Sequence, residues 1–116
     1  MRKISSQTVD AIIRATRLGK SWEKDNTRVE PLDGNKCRVI LHGHVIAFVT
    51  DTNRNYTVEI NLCGYNTPTT RERLSAIVSA FVPGCCGVGT KLGQPSIRYM
   101  DSSKDRNIAS DGWIVV

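Results

Sequence analysis

Between residues 36 and 62, apolar and polar positions alternate with a period of two. Cys37, Val39 and Leu41 fall on one side of the chain, and Arg38, Ile40 and His42 on the other, the pattern of a half-buried strand. Gly43-His44 supplies a two-residue hairpin turn with glycine first, as a type II′ turn prefers. Val45 to Val49 is apolar on both faces, which predicts a strand inside a sheet. Asp51 to Asn55 is a cluster of turn residues, after which Tyr56, Val58, Ile60 and Leu62 alternate with Thr57, Glu59 and Asn61. Residues 36–62 are therefore expected to form a three-stranded antiparallel meander.

Helical spacing lies on either side of it. Val9, Ile12, Ile13 and Thr16 recur at i, i+3, i+4 and i+7, after the candidate N-caps Ser5 and Ser6 and before the candidate C-cap Gly19. This predicts a helix over 6–18. Thr67-Pro68 and the Thr69-x-x-Glu72 capping box open a second apolar stripe, Leu74, Ile77, Val78 and Phe81, which Pro83-Gly84 closes. The spacing predicts a helix over 69–82. Residues 20–35 are polar, with Asp33-Gly34 near their end, and read as a connection or an irregular extended segment. Gly84 to Lys91 reads as a flexible glycine loop, Ser96 to Met100 as a short strand, Asp101 to Asp111 as a loop, and Trp113 to Val116 as a terminal strand or docking tail. The order predicts one α+β domain over 1–116, with helices packed on one face of an antiparallel sheet and short C-terminal strands.

Composition agrees with a single globular domain. The chain has 116 residues, 40% of them hydrophobic and 23% charged, enough to bury a core without disulfides or metal. The longest apolar stretch, Leu74 to Val82, is interrupted by serines and falls short of a membrane span. No apolar run follows Arg2-Lys3, so a cytoplasmic location is expected. Cys37, Cys63 and the adjacent Cys85-Cys86 lack the spacing of a disulfide framework, and reduced thiols are expected.

Charge changes the picture more. The net charge is +5, and residues 1–28 carry seven Lys and Arg against three Asp and Glu, whereas residues 29–116 carry nine against eight. Arg14, Arg17, Lys20, Lys24 and Arg28 gather around Trp22, offering phosphate-neutralising charge and one stacking surface. Arg71 and Arg73 fall in the first turns of the second helix, where backbone N–H groups also favour anions. These eight residues are the candidate nucleic-acid or partner-binding set. The element order α-β-β-β-α resembles that of double-stranded-RNA-binding domains, but the lysine-rich start of their second helix is missing and the 20–35 connection is long. A plainer reading of the same residues packs Trp22 on the core and leaves the arginines on a solvated helix face.

Catalytic signatures are weak. Gly84-Cys85-Cys86-Gly87-Val88-Gly89-Thr90-Lys91 resembles a phosphate-binding loop, yet Thr and Lys are exchanged and the segment follows a helix rather than a strand. His42 and His44 flank Gly43 and could serve as metal ligands, or as a base for Cys85 or Cys86. There is no Cys-x-x-Cys, no Gly-x-Ser-x-Gly and no evident carboxylate pair to complete such a site. No enzyme activity, metal or cofactor is expected. For a protein partner, Tyr65, Tyr99 and Trp113 are the candidate anchors, since aromatic side chains dominate interface energetics.

Three blocks carry a resemblance: Asn26-Thr27-Arg28-Val29-Glu30, then Leu41-His42-Gly43-His44-Val45-Ile46-Ala47, then Gly64-Tyr65-Asn66-Thr67-Pro68-Thr69-Thr70-Arg71-Glu72-Arg73-Leu74. With the closing Asp111-Gly112-Trp113, they resemble a family of small tailed-phage proteins. The likeness covers most of the chain and departs after Val82. It implies a phage origin and brings no assigned residues. Small phage accessory proteins commonly bind a host or defence factor, so stoichiometric binding to a host or defence protein, as an inhibitor, is the expected function. Sequence-nonspecific nucleic-acid binding through the basic N-terminal third is the alternative.

Overall fold

The computed structural model describes residues 3–116. The meander forms where the alternation places it: β3 (Lys36–Leu41), β4 (His44–Asp51) and β5 (Tyr56–Ile60) pair antiparallel in sequence order. The β3–β4 turn is one residue earlier than Gly43-His44. Leu41 pairs with His44, and the two loop residues are His42 (φ 51°) and Gly43 (φ 80°). Positive φ at both positions is what a type I′ turn requires, in place of the type II′ turn expected.

Residues 20–35 are not an irregular connection. They fold as a second hairpin, β1 (Trp22–Lys24) and β2 (Thr27–Leu32), with Asp25 at φ 53° in its turn. β2 pairs along its whole length with β3. At the far side the terminal segment forms β9 (Ile114–Val115) on β5, so the C-terminus completes the sheet in the order β1-β2-β3-β4-β5-β9.

Both helices lie on one face of that sheet, as expected for the α+β class. α1 (Lys3–Leu18) starts before Ser5, so Ser5 and Ser6 are inside the helix and do not cap it. Its inward face consists of Ser5, Thr8, Ala11, Ile12, Ala15 and Thr16, while Val9 and Ile13 are only half-buried. Small side chains let the helix approach the strands closely. Gly19 (φ 66°) ends it by donating its N–H to Ala15 O at 3.1 Å.

α2 (Pro68–Phe81) is capped by Thr67, whose hydroxyl accepts the Thr70 N–H, with proline in its first turn. Leu74, Ile77, Val78 and Phe81 are buried as the spacing predicts. Against Val29, Val39, Val49, Val58 and Ile60 they build the core, each fully buried Leu or Ile contributing about 1.5–3 kcal/mol.

Beyond α2 the glycine-rich segment is a strand, not a flexible loop. β6 (Cys85–Lys91) and β7 (Gln94–Tyr99) form a hairpin, joined by the short β8 (Arg106–Asn107) into a second antiparallel sheet. A single 3₁₀ turn, Ser102–Lys104, lies within the segment expected to be loop. The glycines have structural causes. A Cβ on Gly87 would lie 3.0 Å from Ser75 Oγ, and one on Gly89 would lie 3.3 Å from Arg98 Nε. Ser75 Oγ donates to Val88 O and accepts from Val88 N, both at 2.9 Å. α2 thereby satisfies the outward-facing backbone groups of an edge strand that would otherwise invite pairing.

Candidate functional site

The candidate binding set does not form one surface. Arg14, Arg17, Lys20, Lys24 and Arg28 are all exposed. Arg17 lies 3.6 Å from Asp51 Oδ2 and donates to the Tyr56 hydroxyl at 3.2 Å. Arg28 is on the opposite, helix-free face of the sheet, 3.7 Å from Glu30. Trp22 is half-buried against the core, in accord with the plainer reading of this residue. Arg71 is committed to Asn66, donating to its carbonyl at 2.9 Å and to its side-chain oxygen at 2.6 Å. Arg73 is buried, 6% exposed, and donates to Thr27 Oγ1, Ser5 Oγ and Glu72 Oε1. It is a core residue joining α1, β2 and α2, and the expectation that it faces an anionic ligand is corrected.

The aromatic anchors also separate. Tyr99 is half-buried against the core. Trp113, 45% exposed, packs on Phe48 at 4.8 Å between ring centroids, on the helix-free face. Tyr65 is 51% exposed and stands at the rim of a cleft of about 460 Å³ between the β3–β4 tip and the start of α2.

This cleft combines an apolar floor with converging polar groups. Leu41, Ile46 and Leu62, all buried, form the floor. His44 and Tyr65 form one wall, their ring centroids 4.9 Å apart and tilted by 43°. His42, Thr67, Thr69 and Thr70 complete the lining, which includes no carboxylate.

Each wall is braced from elsewhere. The His42 N–H donates to Asn26 O at 2.9 Å, tying the β3–β4 tip to the β1–β2 turn. Asn61 Oδ1 accepts from the N–H groups of Cys63 (2.8 Å) and Gly112 (3.1 Å), and Gly64 N–H donates to Ser110 O at 2.6 Å. The C-terminal segment thus fixes the loop that presents Tyr65. Arg71 holds the other end of that loop through Asn66. The α2 N-terminus carries no acidic residue in its first turn, so its positive end is uncompensated there.

Of the cleft residues, only Tyr65 belongs to the anchor set read from the sequence, and the histidines entered only as potential ligands or bases. Leu41 and Ile46 come from the β3–β4 hairpin, Leu62 from the chain after β5 and Thr69 from the start of α2, and each alone reads as ordinary core or cap. The extra residue at Ile46, where the β3–β4 register shifts, is what turns its side chain to the floor.

The cysteines are free and dispersed. Burial pushes the Cys37 thiol up to about 12, against a smaller opposing effect of the Val49 backbone. Burial also raises Cys63 and Cys85. Cys86 is exposed, on the rim of a depression formed with α2 that neither histidine lines. Among the described residues no three of His, Cys, Asp and Glu come together as a metal site. No helix among them is long and apolar enough to cross a membrane.

A family model for the Kyanoviridae Gp96 protein matches residues 1–114. The chain belongs to this family of phage proteins. The match runs through the cleft, both sheets and the Cys85-Cys86 segment, and the phage origin implied by the sequence blocks is borne out. No curated protein and no solved structure matches the chain.

Proposed function

We propose that this phage protein acts without catalysis, by stoichiometric binding to a host or defence protein in the infected cell. The docking segment of that partner would place an apolar side chain in the cleft and an acidic group over its rim. The observation that carries this reading is the cleft itself: about 460 Å³ over Leu41, Ile46 and Leu62, the size and floor of a pocket that takes one large apolar group. The acidic neighbour follows from charge. The lining holds two imidazoles and no carboxylate, and it opens on the positive end of α2.

The dispersal of the basic set favours a protein over a nucleic acid. Arg73 is buried, Arg28 and Arg17 face carboxylates, and Arg28 is on the other side of the sheet from α1. A polyanion could engage only Arg14, Lys20 and neighbouring groups at once.

Fluorescence anisotropy with labelled DNA and RNA at low and moderate salt tests the choice. The expected result is no saturable binding to either. Tight binding that falls steeply with salt, and that disappears when Arg14, Arg17 and Lys20 become Ala, would overturn it. In the complementary experiment, a host protein captured at one-to-one stoichiometry by the wild type is released by Tyr65→Ala and retained by the Arg14, Arg17 and Lys20 variant.

A further inference from the structure

The helix-free face of the large sheet carries one row of side chains in direct register across five strands: Glu30, Arg38, Phe48, Glu59 and Val115. Phe48 is at the centre of the row and half-buried, with Trp113 packed on it at 4.8 Å. Arg38 stands one strand to one side of Phe48 and Glu59 one strand to the other. Arg38 Nη2 lies 2.6 Å from Glu30 Oε1, and 43% of its side chain remains exposed. Glu59 has no ionic partner among the described residues. Both helices pack on the opposite face.

We propose that the chain forms a two-fold homodimer through this face, with the axis running along β4 at Phe48. A rotation about that axis carries the β3 side of one copy over the β5 side of the other. Phe48 then meets Phe48 of the second copy, and Arg38 of each copy faces Glu59 of the other. The spacing allows it. Neighbouring strands are about 4.8 Å apart, so both charges flank the axis at the same distance, and sheets stack face to face at about 10 Å, a gap that Arg and Glu side chains span together. A two-fold interface requires such self-complementarity, each patch meeting its own reverse. A row running cation, aromatic, anion supplies it. Lys36 Nζ, 4.6 Å over the Phe48 ring in the single chain, swings to the periphery when the ring is covered. The cleft opens on the helix side of the sheet, so the dimer leaves both clefts accessible and does not depend on their role.

Sedimentation velocity over a concentration series tests this, using wild type, Arg38→Glu, Glu59→Arg and an equimolar mixture of the two variants. Wild type is expected to sediment as a dimer. Each variant alone opposes like charges twice and should associate at least about tenfold more weakly. The mixture should recover the dimer, because Glu at 38 in one chain faces Arg at 59 in the other, and the native pair re-forms on the second side. Glu59→Arg leaves the Arg38–Glu30 contact intact, so its behaviour does not depend on that contact. A wild type that stays monomeric throughout, or two variants that dimerise as well as wild type, overturns the proposal.

Discussion

The guanidinium of Arg73 lies 3.2 Å from Ser5 Oγ, a contact between residues 68 positions apart in the chain. It joins the start of α1 to α2, and a further donation to Thr27 Oγ1 at 3.3 Å brings in β2. Ser5 also donates to Glu72 Oε1 at 3.2 Å, so one carboxylate serves both the hydroxyl and the guanidinium. A buried cation is tolerated only when its donors are satisfied, and here a network of local and distant groups does so.

Arg73→Leu removes its bonds to Ser5, Thr27 and Glu72, while the Ser5 hydroxyl still donates to Glu72. Glu72 keeps some contact with water, its side chain being 29% exposed, which limits the loss. The expected destabilisation is about 2–3 kcal/mol, read as a lower urea midpoint with an unchanged slope. A Leu variant as stable as wild type would show that the network contributes nothing net.

The Cys37 thiol gives a pH dependence of definite sign. Burial raises its pKa in the folded chain from the ordinary 9.0 to about 12, so folding favours the protonated form. The stability this confers is complete below the unfolded value and is lost as pH rises from about 9 towards 12. Relative to Cys37→Ala, wild type should lose about 1.4 kcal/mol per pH unit above that point. Parallel denaturation curves at neutral and alkaline pH measure the difference. A difference that stays constant with pH would mean that the thiol ionises in place.

Leu92 is fully exposed at the β6–β7 turn and has φ 52°, beside Gly93 at φ 80°. A left-handed backbone costs a leucine about 1–2 kcal/mol, whereas Asn occupies it readily at the first position of such a turn. Leu92→Asn should therefore raise the unfolding free energy by about 1 kcal/mol without altering the circular dichroism spectrum. Unchanged or lower stability would indicate that Leu92 makes a contact which offsets its strain.

The sequence carried the meander and α2 because their buried positions are occupied by Val, Ile, Leu and Phe at regular spacing. β2 escaped notice for the opposite reason. Its inward positions are Thr27, Val29 and Pro31, so a strand buried on one face shows only one aliphatic residue. In α1 the inward face is alanine, serine and threonine apart from Ile12, which shifts the apparent stripe towards Val9 and Ile13. β6 was hidden by Gly87 and Gly89, whose absent side chains make room for Ser75 and Arg98 in another element. The cleft combines a register shift in β4 with a loop fixed by Ser110 and Gly112. Such a feature depends on contacts between distant segments, and no local pattern announces it. Tyr65 was named from the sequence as an aromatic candidate, and it is 51% exposed at the rim of the cleft.

The most direct test of the cleft is an amide-resolved NMR titration with the blocked tripeptide acetyl-Glu-Trp-Asp-amide, using acetyl-Lys-Trp-Lys-amide as control. The acidic peptide should give saturable shifts centred on His42, His44, Ile46, Tyr65 and Thr69, weakened several-fold by Tyr65→Ala, and the basic peptide little or none. Equal shifts from both peptides, shifts confined to Arg14, Arg17 and Lys20, or no saturable shift with either would contradict the account.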